Sequence, residues 1–92
     1  SNRIRRLLVR SENAQAAKQA LAAEGYSAEI LPNDVIVLSE SAAVMHPEKI
    51  STLLVNSGNA PRQLLVEEEE LEKYFLRLVG MNNEEGKNEQ LN

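Results

Sequence analysis

Ser27-Ala28-Glu29-Ile30-Leu31-Pro32-Asn33-Asp34-Val35-Ile36-Val37-Leu38 reads as two short strands around one turn. Val35 to Leu38 is the most β-prone run in the chain, since branched side chains fit a pleated, half-buried surface. Ser27 to Leu31 is its partner, a second short strand. Between them, Pro32 fixes its own φ, and Asn33 and Asp34 tolerate left-handed geometry, so Pro32-Asn33-Asp34 predicts a turn. The two runs are therefore expected to pair as a hairpin, and this hairpin sits between two helical stretches.

On the N-terminal side, Ala-rich residues 12–24 are strongly helical by propensity. Ala14, Ala17, Ala20, Leu21 and Glu24 share the buried spacing, and Gln15, Lys18 and Gln19 point outward. Ser11 is the expected cap, with Glu12 favourable at the positive helix end, and Gly25 is the expected stop. Before it, Arg3-Ile4-Arg5-Arg6-Leu7-Leu8-Val9-Arg10 predicts a strand apolar enough to lie inside a sheet. On the C-terminal side, residues 39–45 read as a loop. Pro47, at the favoured first helical position, opens a second helix with Ile50, Leu53 and Leu54 on its buried stripe and Gly58 as its end. Residues 61–66 predict a fourth strand, with donor-less Pro61 at its start. Glu67 to Glu70 lead into a third helix over about 69–79, stopped by Gly80. Its expected stripe is Leu71, Tyr74, Phe75 and Leu78, with Leu76 and Val79 as a second patch; it covers the open sheet face or docks on a partner. Residues 81–92 are polar and patternless, the composition of a disordered tail.

The resulting order is β-α-β-β-α-β plus one helix. It predicts an α+β domain over residues 3–80: a ferredoxin-like βαββαβ sandwich, with a four-stranded antiparallel sheet carrying two helices on one face and an additional C-terminal helix. A 92-residue chain holds one such domain at most. The chain opens Ser-Asn without a Met, which predicts that it is a piece of a longer protein.

Composition narrows the chemistry. Without cysteine there is neither a disulfide nor a thiolate metal site. A net charge of −4 argues against a general nucleic-acid binder, and the strands lack the stacking aromatics of an RNA-reading sheet. No apolar run approaches the roughly 20 residues of a membrane span, so direct membrane insertion is not expected. There is no G-x-x-x-x-G-K-[ST] or G-x-G-x-x-G loop. His46 is the single histidine, and Glu48 beside it makes only a weak acid–base pair. Glu67–Glu70 and Glu72 are oxygen-rich, but helix neighbours diverge and the spacing is not that of a calcium loop. Arg3, Arg5, Arg6 and Arg10 divide between two strand faces; they read as charges that solubilise a sheet edge, with an anionic partner as the alternative. No catalytic, cofactor or metal constellation emerges, and the chain alone is not expected to be an enzyme.

One stretch resembles a known family. Glu69-Glu70-Leu71-Glu72-Lys73-Tyr74-Phe75-Leu76-Arg77-Leu78-Val79-Gly80 is similar to the S/D-L-E-x-Y/I-F-L-x-L-x-G ending of ATP-binding subunits of bacterial ABC transporters, the bacitracin- and lantibiotic-export type in particular. Leu71, Glu72, Tyr74, Phe75, Leu78 and Gly80 carry this signature, with Glu70 a departure at the Ser/Asp position. Pro47 to Gly58 resembles the family's P-x-x-I-N-x-L-L-V-x-x-G helix, and Ser11 to Leu21 its D-x-x-x-A-x-x-x-L helix.

The resemblance implies a non-catalytic C-terminal domain, regulatory or dimer-stabilising, that follows an ATPase core absent here. ATP and Mg would belong to that parent subunit, which would drive export of an antimicrobial peptide or similar substrate and so confer antibiotic resistance. The implied partners are the domain's own ATPase core, a second copy of the subunit and membrane-spanning permease subunits. The implied place is cytoplasmic, at the inner face of the plasma membrane through the permease. Leu76 and Val79 are the expected intersubunit contacts, because the first stripe is expected to satisfy the domain's own fold. The alternative is a stand-alone ferredoxin-like small-molecule sensor or interaction module, with a polar pocket near residues 10–13 or Asn56-Ser57-Gly58-Asn59.

Overall fold

The computed structural model describes residues 2–80; the tail expected over 81–92 lies outside them. The elements run β1 (Arg3–Ser11), α1 (Ala14–Ala23), β2 (Glu29–Ile30), β3 (Ile36–Leu38), α2 (Ser41–Met45), α3 (Pro47–Asn56) and β4 (Pro61–Glu70), and a last helix, α4, covers 71–80. The four strands form one antiparallel sheet in the order β2-β3-β1-β4. The hairpin forms as expected: β2 pairs with β3, and Asn33 and Asp34 take φ of 70° and 61° in the 3₁₀ turn that joins them.

Sheet register sorts the side chains. Leu7 faces Leu38, and Val9 faces Ile36 on one side and Leu64 on the other. These residues share one face because strand side chains alternate. Ala14, Ala17 and Leu21 of α1 and Ile50 and Leu54 of α3 pack onto that face, and Leu7, Val9, Leu21, Ile36, Leu38, Ile50 and Leu54 are fully buried. The opposite face carries a single row across all four strands: Glu29, Val37, Leu8 and Leu65. Val37 is buried there outside the main core, while Leu65 is 49 % exposed.

Several expectations need correction. The cap of α1 is Asn13, whose Oδ1 accepts from the Ala16 amide at 3.0 Å. Ser11 remains in β1 instead, and the helix starts two residues later than the Ala-rich run allows. Glu24 is exposed at the helix C-cap rather than on the buried stripe. Gly25 and Gly58 do end their helices, at φ of 88° and 81°. The loop expected at 39–45 holds a helical turn and a half: the Glu40 carbonyl accepts from the Ala43 and Val44 amides, and both these side chains are buried. The Glu40 carboxylate also accepts from the Ser27 amide at 2.7 Å, tying α2 to the approach of β2.

The largest correction concerns the acidic run. Glu67 to Glu70 are strand, not the start of a helix; β4 continues through Glu70. Beyond the core rows, β1 and β4 run on together as a two-stranded ribbon that pairs Arg6 with Glu67, Arg5 with Glu68, Ile4 with Glu69 and Arg3 with Glu70. β1 lies between β3 and β4 over Leu7 to Val9, whereas Arg3, Arg5 and Arg6 stand on the ribbon, where β4 is the strand partner of β1 among the described residues. The ribbon and α4 lengthen the molecule to 50 × 33 × 20 Å. The radius of gyration is 15.7 Å, against about 12 Å for a compact chain of this length.

Candidate functional site

The ribbon joins two charge runs from opposite ends of the chain. Glu68 accepts from Arg3 at 2.5 Å and from Arg5 at 2.7 Å, and Glu67 accepts from Arg6 at 2.5 Å. The Arg3 and Arg5 guanidiniums hold the Glu68 carboxyl below its ordinary value, because they donate hydrogen bonds to its charged form. The glutamates are thus matched by arginines and not gathered around a cation. Among the described residues no group of three or more His, Asp or Glu side chains could hold a metal ion. The two strands in this way pair Arg3, Arg5 and Arg6 with Glu67 and Glu68 within the chain.

The ribbon also positions α4. The Leu71 amide donates to the Asn2 carbonyl at 2.9 Å, closing the last ladder step before the helix begins. Arg77 then reaches back to Glu69, and its guanidinium lies 5.4 Å from the centre of the Tyr74 ring. Lys73, one turn earlier, borders the same concavity as Arg3, Arg6 and Glu67 to Glu70. Residues four apart share one side of a helix, so the basic side of α4 faces the acidic strand.

The apolar side must then face away. Phe75 is 58 % exposed, Leu76 64 %, Leu78 42 % and Val79 55 %. Only Leu71, Tyr74 and Gly80 of this helix are partly covered. This corrects the expectation that the stripe Leu71, Tyr74, Phe75 and Leu78 completes the domain's own core. Phe75 and Leu78 are as outward as Leu76 and Val79, the residues expected at an intersubunit contact, and Glu72 lies exposed beside them. An amphipathic helix in a monomer normally turns its apolar side inward; this one is reversed, because the acidic ribbon attracts its basic side, Lys73 and Arg77.

The remaining candidates are weaker. His46 Nδ1 lies 3.3 Å from Glu48 Oε2, yet both side chains are half exposed or more and nothing orients the pair against a pocket. At the α3 end, Asn59 Nδ2 donates to the Ser57 carbonyl and Oγ, and Ser57 Oγ donates to the Leu54 carbonyl. The Ser57 and Asn59 donors of that stretch are spent on closing the helix, while the exposed Asn56 borders a concavity between α1 and α3. No helix of the described residues is long and apolar enough to cross a membrane. No family model matches the chain, and no curated protein and no solved structure matches it.

The strongest candidate surface among the described residues is therefore the outward side of α4. Sequence reasoning named its residues. It missed which side they present, although a signal was available: α4 places Lys73 and Arg77 one turn apart, directly after four consecutive glutamates.

Proposed function

We propose that this chain is a non-catalytic accessory domain of an ABC-type export ATPase subunit, serving as a docking or dimer-stabilising module. The observation that carries the reading is the outward apolar side of α4. Phe75, Leu76, Leu78 and Val79 are exposed in a helix whose basic side is committed to the chain's own glutamates. A helix so oriented gains its hydrophobic free energy only against another surface. Phe75 and Leu78 are also among the residues that carry the resemblance to the export family's terminal signature, which supports placing the module at the end of such a subunit. The strand order β2-β3-β1-β4 supports a ferredoxin-like architecture: β3 lies between β1 and β2, and β1 lies between β3 and β4.

In this reading the parent's ATPase core supplies nucleotide binding, Mg and hydrolysis, and a permease carries the exported peptide. Those partners and the cytoplasmic, membrane-peripheral location belong to the proposal. Two measurements test it. The gene upstream of Arg3 is expected to encode roughly 200 residues that include a G-x-x-x-x-G-K-[ST] loop after a strand; a start codon adjacent to Arg3 would sink the export reading. Calorimetry of the 92-residue chain with Mg-ATP is expected to give no binding heat, and micromolar affinity would defeat a non-catalytic role.

A further inference from the structure

We propose that the occupant of this surface is a second copy of the chain, with α4 of each copy lying across the open sheet face of the other. The inference deepens the dimer-stabilising part of the function proposed above and takes nothing from its export part.

Each copy carries both halves of such a contact. On the open face the row runs from Val37, already buried, through Leu8, partly covered, to Leu65, half exposed at its β4 end. The copy's own α4 is held at the far end of the ribbon by the Arg77–Glu69 pair and leaves Leu65 uncovered. The apolar side of α4 is the complementary half.

Charge and spacing agree with this pairing. Arg10 lies on the open face, two residues beyond Leu8. Its guanidinium donates to the Asn33 carbonyl at 3.0 Å, and among the described residues it forms no ion pair. Two strand residues span about 7 Å. On α4, Glu72 is exposed, makes no ion pair among the described residues and precedes Leu76 by one turn, about 6 Å. With Leu76 seated over Leu8, Glu72 of one copy reaches Arg10 of the other.

The area is also sufficient. A ten-residue helix is about 15 Å long, and its outward half offers roughly 300 Å². Twofold symmetry makes the contact twice. Each copy contributes a helix and a receiving face, so the two contacts bury about 1,200 Å² in all, above the roughly 1,000 Å² of a specific interface.

Sedimentation equilibrium of the 92-residue chain, from micromolar to millimolar concentration, tests the proposal. A reversible monomer–dimer equilibrium is expected. Glu72→Arg and Arg10→Glu should each weaken the dimer roughly tenfold through like-charge contact, and the double variant should recover most of the loss. Leu76→Asp and Leu65→Lys should each weaken it on the order of 100-fold, as truncations at a desolvated centre do. All four positions are exposed, so melting at low concentration should match the parent chain and verify the fold. A chain that stays monomeric to millimolar concentration overturns the inference and leaves the export reading intact. So does a dimer indifferent to both Leu76→Asp and Leu65→Lys. A double charge reversal no tighter than its parents refutes the crossed arrangement, in which Glu72 meets Arg10.

Discussion

Leu54→Ala and Phe75→Ala should separate by several-fold in stability, although both remove a large apolar side chain from a helix. Leu54 is fully buried among the residues of the sheet and α1. Its truncation removes three carbons, worth about 2.4 kcal/mol at about 0.8 kcal/mol each. The cavity left in a close-packed core brings the cost to about 3–5 kcal/mol. Phe75 is 58 % exposed. Less than half of its transfer free energy, about 1.2 kcal/mol, is realised in the single copy. Alanine also returns about 0.5 kcal/mol of helix propensity. The net cost is therefore below about 1 kcal/mol. Urea unfolding followed by circular dichroism measures both. Protein concentration must be low enough to keep the chain monomeric, since association would add its own stabilisation. With an m-value of about 1 kcal/mol/M, the midpoint should fall by about 3 M or more for Leu54→Ala and by less than about 1 M for Phe75→Ala. The wild-type total for a domain of this size is about 5–10 kcal/mol, so the first variant should sit close to unfolding in water. Equal midpoint shifts for the two variants would refute the reasoning, because they would place α4 inside the domain's own core.

Two further predictions concern the corrected elements. Asn13→Ala removes the side chain that caps α1 and should cost about 1 kcal/mol, whereas Ser11→Ala should leave the melting temperature nearly unchanged; comparable losses would mean that the capping assignment is misplaced. The pH dependence of the ribbon follows from Glu68, whose folded value lies below its ordinary 4.5. Its contribution is fully present above 4.5 and is lost as pH falls through the depressed folded value. An NMR titration should find the Glu68 midpoint below 4.5, rising in Arg3→Gln; a midpoint at or above 4.5 in the parent chain would contradict the paired ribbon.

The parts of the fold legible in the sequence are those set by neighbours in the chain. The hairpin turn at Pro32-Asn33-Asp34, the glycine stops at Gly25 and Gly58, and the Pro47 helix start all follow from local backbone chemistry. The parts that were not legible depend on distant partners. Four glutamates in a row have low strand propensity, and alone they read as the acidic first turn of a helix. They become strand because Arg3, Arg5 and Arg6 stand opposite them. The orientation of α4 was hidden for the same reason. Periodicity gives an apolar side and a charged side, and ordinarily the apolar side goes inward. Here the acidic strand immediately before the helix reverses that choice. α2 escaped notice because five residues are too few to show a period.

The ribbon also carries a consequence for how the chain is made. Arg3 and Glu68 are 65 positions apart in sequence, so the longest ladder in the sheet closes only when all the residues between them are available. Contacts of such separation slow folding, since loop closure must precede any gain from pairing. During synthesis, β1 emerges before β4 and waits with the edge that β4 will cover unsatisfied until β4 clears the ribosome, at roughly 5–20 residues per second, some seconds later. An unpaired apolar strand is a template for other chains. The arginines that later seat the glutamates give nascent β1 a dense positive charge in that interval. Like-charged nascent copies repel one another, and the strand with the matching negative run, Glu67 to Glu70, is the one still to come.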